Sequence, residues 1–216
     1  MGFIIYKRMK EIQFPRISSV RFVTGARSLV QLPPPELFEI AVAGRSNVGK
    51  SSLLRLMLGV RKQVRVSRTP GRTREINFFR VDSVELPPLY WVDLPGYGYA
   101  SVQRSLREEW GDFVTRYIET RQSLRIVLLL IDARREITDL EISFVQWMYA
   151  RNVNLLFVMT KMDQVPKTHW GQVTQRMRLA FGSGRFLPFS AVSGFGAEEI
   201  WRYVAKVTSS LESIHS

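Results

Sequence analysis

The run Gly44-Arg45-Ser46-Asn47-Val48-Gly49-Lys50-Ser51 constrains the fold more than any other stretch. It fits the pattern G-x-x-x-x-G-K-S and lies between an apolar run and an amphipathic one. In that setting a strand feeds a tight loop that opens a helix. Glycines let successive backbone N–H groups turn inward around phosphates, and the helix N-terminus adds the positive end of its dipole. Lys50 is expected to neutralise β- and γ-phosphates, and the Ser51 hydroxyl to ligate magnesium. The motif specifies a nucleoside triphosphate and leaves the base open, because kinases, ATPases and GTPases all use it.

From Phe38 onward, short apolar runs alternate with longer amphipathic segments, the pattern of strand-helix-strand units and a mostly parallel α/β sheet. Strands are expected near 39–43, 76–81, 89–92, 126–131, 155–159 and 185–189, six in all. Helices are expected at 50–58, 102–121, 138–151, 168–181 and 197–211, each with apolar residues at helical spacing. The second and third strands are separated only by residues 82–88, too few for a crossover, so that pair should be an antiparallel hairpin. Residues 1–37 end in Leu32-Pro33-Pro34-Pro35, whose prolines cannot donate to a central ladder. They are expected to form an extension packing on a domain that spans 38–216.

With 216 residues and no cysteine, the chain suits one well-filled core, and thiolate chemistry and disulfides are excluded. The apolar runs at 125–131 and 153–159 fall far short of the roughly 20 residues that span a bilayer. No secretory signal is evident at the start. A cytoplasmic protein without membrane contact fits these features, though they do not require it. The outlier is a net charge of +12, which points to a polyanionic partner such as RNA.

Thr160-Lys161-Met162-Asp163 follows an apolar strand, at the carboxyl end where open α/β sheets bind ligands. It fits [NT]-K-x-D. The Asp163 carboxylate can accept from guanine N1–H and the 2-amino group, whereas adenine offers no such donor pair and would leave the acid unpaired. Lys161 would lay its stem over the purine face, and Thr160, standing where asparagine is usual, would tie this loop to the phosphate loop. After the next strand, Ser190-Ala191 could offer a backbone N–H to guanine O6.

Asp93-Leu94-Pro95-Gly96 fits D-x-x-G, in which the aspartate supports magnesium through water and the glycine N–H faces the γ-phosphate. Gly96-Tyr97-Gly98-Tyr99 then combines glycines suited to movement with two large rings. Another loop, Arg68-Thr69-Pro70-Gly71-Arg72-Thr73-Arg74, could order around nucleotide. Thr73 is the preferred second protein ligand of magnesium. Thr69 is its rival, disfavoured because Pro70 restricts its backbone. Lys50, Thr73 and Gly96 thus surround the γ-phosphate in this reading. Tyr97 stands where many GTPases carry the glutamine that orients the attacking water. Intrinsic turnover is therefore expected near or below the ~10⁻⁴ per second scale of unassisted GTPases, with acceleration from a partner or an ion. Asn47 points to potassium as that ion.

With these motifs in place, the chain resembles the EngB (YihA/YsxC) family of bacterial GTPases, within the translation-factor-like class. The likeness runs from Val20-Arg21-Phe22-Val23 through GRSNVGKSSLL, TPGRT, INFF, VDLPGYGYA, Arg121-Gln122-Ser123-Leu124 and TKMD to the C-terminal helix. It implies a Ras-like, three-layer fold whose six-stranded, mostly parallel sheet has one antiparallel strand. It also implies magnesium-dependent hydrolysis of GTP to GDP by a monomer, late assembly of the large ribosomal subunit, and an effect on cell division and septation. The family's nucleotide-binding positions map onto Gly44 to Ser51, then Gly71, Arg72, Thr73, Arg74 and Glu75, then Asp93 to Gly96, Thr160 to Asp163, and Phe189, Ser190 and Ala191. Ser51 and Thr73 fall on magnesium. Arg135-Glu136 replaces a His-Pro pair of many relatives after Ile131-Asp132-Ala133-Arg134, a change expected to alter surface contacts and not nucleotide binding.

Arg61, Lys62, Arg65, Arg68, Arg72 and Arg74 lie between residues 60 and 74 with no acid among them. Carried on a nucleotide-responsive loop, they would couple the γ-phosphate to affinity for rRNA. Two other readings stay open on the residues: an RNA-binding assembly factor that keeps GTP as a structural ligand, and an ATP-using P-loop kinase, against which Asp163 argues.

Overall fold

The computed structural model describes residues 15–59, 75–97 and 106–212. The expectations attached to Thr69, Gly71, Arg72, Thr73, Arg74, Gly98 and Tyr99, and to the basic cluster from Arg61 onward, lie outside the described residues. Among those described, no helix is long and apolar enough to cross a membrane.

Strands β1 (Ile17–Ala26), β2 (Phe38–Gly44), β3 (Ile76–Ser83), β4 (Leu89–Asp93), β5 (Leu124–Asp132), β6 (Leu155–Thr160) and β7 (Arg185–Pro188) form one sheet in the order β1-β3-β4-β2-β5-β6-β7. The short link makes β3 and β4 an antiparallel hairpin, as expected, and β3 also pairs antiparallel with β1. All other pairings are parallel, so β3 alone runs against the rest. Helices α1 (Lys50–Leu58), α2 (Leu106–Thr120), α3 (Asp139–Tyr149), α4 (Trp170–Phe181) and α5 (Ala197–Glu212) complete the three layers. α2 breaks at Gly111, whose φ of 74° no regular turn of helix accommodates. α3 begins with a reciprocal cap, in which the Thr138 hydroxyl accepts from the Glu141 N–H and the Glu141 carboxylate accepts from the Thr138 N–H.

β5 shows why the sheet is covered on both sides. Its continuous apolar run sends Val127, Leu129 and Ile131 into a core with Tyr117, Phe144 and Met177. Ile126, Leu128 and Leu130 enter a second core with Leu53, Met57 and Trp201. A strand buried on both faces loses the polar alternation of a half-exposed one. Each such aliphatic side chain contributes roughly 1.5–3 kcal/mol by leaving water.

The expected count of six strands is short by one. The additional strand, β1, comes from the segment before residue 38, which therefore packs by pairing at the sheet edge. Two register shifts, between Ile17 and Ser19 and between Phe22 and Thr24, break the twofold alternation that marks a strand in sequence. Phe22 meets Phe79 edge to face at 5.6 Å across the pair, and ion pairs just beyond its two ends, Arg16 with Glu85 at 2.7 Å and Arg27 with Glu75, help to hold it.

β2 sits between β4 and β5, and the chain leaves it first toward β4 and later crosses to β5. α1 packs on one face and α2 on the other. That reversal opens a crevice beyond the carboxyl end of β2, where doubly wound sheets hold ligands, and Gly44 ends the strand there.

The opposite end of β2 is anchored by Glu39, which is fully buried. Its carboxylate accepts from the Tyr117 hydroxyl (2.7 Å), Arg121 Nε (2.7 Å) and the Ser123 hydroxyl (2.9 Å), while Arg121 also donates to the Pro33 carbonyl at 2.7 Å. Burial, then the Glu39 charge and hydrogen bond, push the Tyr117 phenol well above its ordinary range, so it remains a donor. The network joins α2, β5 and the proline stretch to β2. Arg121→Ala is expected to lower the unfolding free energy by about 3–5 kcal/mol, because it strands a buried charge. Tyr117→Phe, which removes one bond, should cost about 1–2 kcal/mol. Urea unfolding followed by tryptophan fluorescence checks both values.

Candidate functional site

Gly44 closes β2 in a space with no room for a side chain. A Cβ there would lie 2.8 Å from Val48 Cγ1 and 2.9 Å from the Leu130 carbonyl oxygen. Residues 45–48 then turn, with Val48 N–H donating to the Arg45 carbonyl at 3.2 Å. Asn47 adopts φ 62° and Gly49 φ 109°, left-handed values that asparagine and glycine tolerate best. Gly49 caps α1, so Lys50 and Ser51 occupy its first turn, where free backbone N–H groups and the helix dipole favour an anion.

The segment 93–97 runs alongside. Leu94 N–H donates to the Val42 carbonyl (3.1 Å), Ser46 N–H to the Tyr97 carbonyl (3.0 Å) and Tyr97 N–H to the Gly44 carbonyl (3.4 Å). Gly96 packs against the Ser46 backbone, to which a Cβ would come within 3.5 Å. Lys50 Nζ forms a short ion pair with Asp93 Oδ1. The cation expected on phosphates thus touches the carboxylate expected near magnesium. Magnesium in such sites takes one or two protein oxygens and completes its shell with water and phosphate. The Ser51 hydroxyl and Asp93 suit that chemistry.

Tyr97 does not face this cleft. Its ring is fully buried and stacks on Phe144 at 5.1 Å. Burial, with the Glu141 charge adding to it and Arg45 opposing, pushes its phenol far above the ordinary value. The position where many GTPases present glutamine is here part of the core.

β6 delivers the second loop. Thr160, buried, donates through Oγ1 to the Val48 carbonyl at 2.7 Å, with the Ile131 carbonyl at 3.2 Å as its other neighbour. Lys161, at φ 60°, extends its ammonium to the Asn47 carbonyl (2.9 Å) and to Asp132 Oδ2 (2.8 Å). Met162 is buried, and its N–H donates to the Phe189 carbonyl at 3.2 Å. This bond ties the 160–163 loop to the one after β7. Asp163 lies in a 3-10 turn, Met162–Gln164. Its carboxylate is exposed, and its charge acts on the Arg134 guanidinium.

In the loop after β7, Ser190 N–H is spent on the Phe195 carbonyl (3.0 Å), and the Val192 and Ser193 N–H groups turn onto Ser190 Oγ (3.2 and 3.3 Å). The Ala191 N–H makes no hydrogen bond among the described residues. Gly196 makes the return possible. A Cβ on it would fall 2.0 Å from the Pro188 carbonyl oxygen at a φ of 83°. Glu75, by contrast, gives its carboxylate to Arg27, the residue that follows β1.

Residue-level reading of the sequence assigned nothing to Asp132, Arg134 or Gln164. Asp132 ends β5 in register with Thr160 and is 5% exposed. Burial alone would raise its pKa. Hydrogen bonds from the Arg134 and Lys161 side chains and the Arg134 N–H outweigh that and hold the carboxyl well below the usual carboxylate range. The available signal was an acid placed directly after the apolar run 126–131 of a central strand. A group whose folded pKa is depressed stabilises above its unfolded pKa and loses that stabilisation as pH falls through the folded one. Asp132 should therefore contribute constantly from pH 8 to about 5 and lose its contribution below about pH 4. In Asp132→Asn, acid unfolding followed by circular dichroism should show a shallower dependence on pH below 4.

A family model described as a 50S ribosome-binding GTPase matches residues 39–161. A probable GTP-binding protein EngB of Geobacter metallireducens is 45% identical over 190 residues, covering 86% of this chain and 90% of that protein. A probable GTP-binding protein EngB of Desulfatibacillum aliphaticivorans is 41% identical over 192 residues, with coverage of 87% and 91%. A crystal structure of a probable GTP-binding protein EngB superposes with a TM-score of 0.63 over 80% of this chain and 99% of that one. At 24% identity, it speaks to the fold.

Proposed function

Since the chain belongs to the EngB family of P-loop GTPases, we propose that it is a magnesium-dependent GTP switch acting on the large ribosomal subunit. The observation that carries the guanine-nucleotide part is the double tie from Thr160 and Lys161 to the Val48 and Asn47 carbonyls. It supports the reading by drawing the loop that bears the exposed Asp163 carboxylate against the phosphate loop.

In this reading, residues 44–49 wrap the phosphates with backbone N–H groups, and Lys50 leaves Asp93 to neutralise the β- and γ-phosphates. Ser51 and, through water, Asp93 would hold magnesium, which would supply charge stabilisation to the transferring phosphoryl group. Thr73 adds the second protein ligand. Gly96 N–H senses the γ-phosphate, and Leu94 and Pro95 shape the approach. Ala191 N–H reaches guanine O6, Phe189 and Met162 support that loop, and Asp163 accepts from the guanine edge. Glu75 contributes through its backbone, since its side chain is engaged by Arg27.

With Tyr97 turned into the core, no side chain at that position can orient water. Turnover is slow until a partner or potassium, placed near Asn47, assists. A hydrolysis rate unchanged when sodium replaces potassium would remove the ion from this account. The +12 charge and the matched family's description support a ribosomal partner and rRNA contact. A monomeric, cytoplasmic assembly factor whose loss disturbs cell division and septation is the corresponding cellular role.

Asp163→Asn should weaken GDP binding by about 100-fold or more and shift preference toward xanthosine diphosphate, whose second carbonyl an amide can donate to. Competition titrations with GDP, XDP and ADP check this, and equal affinity for ADP and GDP in the unaltered protein would overturn the reading. Pelleting with large ribosomal subunits should depend on a GTP analogue over GDP and fall steeply with salt. Failure of those particles to stimulate hydrolysis would favour a structural role for GTP.

A further inference from the structure

Resting on the guanine-nucleotide reading above, we propose that Asp132 is a positioning residue for the base, acting through Lys161. Neither the phosphate-loop pattern nor the T-K-x-D pattern requires a carboxylate at the end of β5. Yet Asp132 is the group on which this corner converges. Its Oδ2 accepts from Lys161 Nζ and from Arg134 Nη2, each at 2.8 Å. Its Oδ1 accepts from Arg134 Nε at 2.9 Å and from the Arg134 N–H at 3.1 Å. Arg135 Nε stands 3.8 Å from Oδ2.

Arg134 keeps the carboxylate from swinging out. Its guanidinium grips both oxygens in a fork, and its remaining terminal nitrogen bonds Gln164 Oε1. A planar fork of this kind fixes direction as well as distance. The carboxylate is thus a fixed post, and Lys161 is leashed to it.

The leash matters because of what Lys161 must do. An ammonium has three donors, and two are committed here, to Asp132 on the β5 side and to the Asn47 carbonyl on the phosphate-loop side. With the head pinned between them, the four-carbon stem lies along the line joining the two loops, as a platform for a purine ring. Its left-handed backbone, φ 60° and ψ 30°, is a conformation that a lysine holds only when its surroundings over-determine it. Without Asp132, the side chain would keep one carbonyl partner and regain the rotamer freedom that a long cationic chain loses on ordering.

The test is a double-mutant cycle on the full chain, with binding of a fluorescent GDP read by titration. Asp132→Asn should weaken GDP on the order of ten-fold, and Lys161→Ala should weaken it by at least as much. In the Lys161→Ala background, the added Asp132→Asn change should have little further effect, because the residue that transmits it is gone. Additive losses, equal in both backgrounds, would show a role in folding alone and overturn the proposal, as would binding by Asp132→Asn within two-fold of the unaltered protein. If Asp132→Asn does not fold, Arg134→Gln, an exposed change that frees the carboxylate, takes its place with the same expected non-additivity. Failure of the unaltered protein to bind GDP would instead remove the guanine-nucleotide reading and this inference with it.

Discussion

Two backbone carbonyls, those of Asn47 and Val48, determine how the site is assembled. Both belong to the loop that joins β2 to α1, and both accept from the end of β6 and the residue after it, Thr160 and Lys161. The hydroxyl bond is buried, and leaving either end unpaired would cost about 1–3 kcal/mol, which makes the spacing of the two loops a property of the fold. The central strands place β2 and β6 on either side of β5, and this pair of contacts bridges the gap above it.

The same economy governs the lower edge of the sheet. There, Glu39 gathers a phenol, a guanidinium and a hydroxyl from α2 and the start of β5. At the upper edge Asp132 gathers Arg134 and Lys161. Each acid lies near one end of a mostly apolar strand, and each is surrounded by donors that replace the water it lost. A buried carboxylate is costly unless so supplied, and in return it fixes the relative placement of the segments that supply it.

Much of this was legible in the sequence. The alternation of apolar and amphipathic runs located six strands and five helices, and the short 82–88 link specified the hairpin. The phosphate-loop and T-K-x-D patterns fell on loops at one end of the sheet. β1 was not legible, because its two register shifts scramble the period that identifies a strand, and because the acids that hold Arg21 and the flanking Arg16 and Arg27 lie far along the chain, at Asp82, Glu85 and Glu75. Asp132 and Arg134 were visible as letters only. Their partners lie in sequence as far off as Lys161 and Gln164, and nothing local announces a contact that distance in the chain conceals. Tyr97 was read correctly as different from glutamine, but the direction of its ring depended on Phe144, a residue of a helix still to come.

The edge strand carries a consequence for how the chain matures. β1 is synthesised before the rest of the sheet, yet its pairing surface is β3, whose residues 76–83 emerge some sixty positions later. Local helices such as α1 can form at once, whereas this pairing must wait for loop closure across the whole phosphate-binding segment, the kind of distant contact that slows folding. Until then the apolar faces of Ile17, Val20 and Phe22 have no cover. The nascent chain thus carries an uncovered apolar ribbon between Arg16 and Arg27 until residues 76–83 have emerged, the kind of segment that flanking and inserted charges shield from self-association.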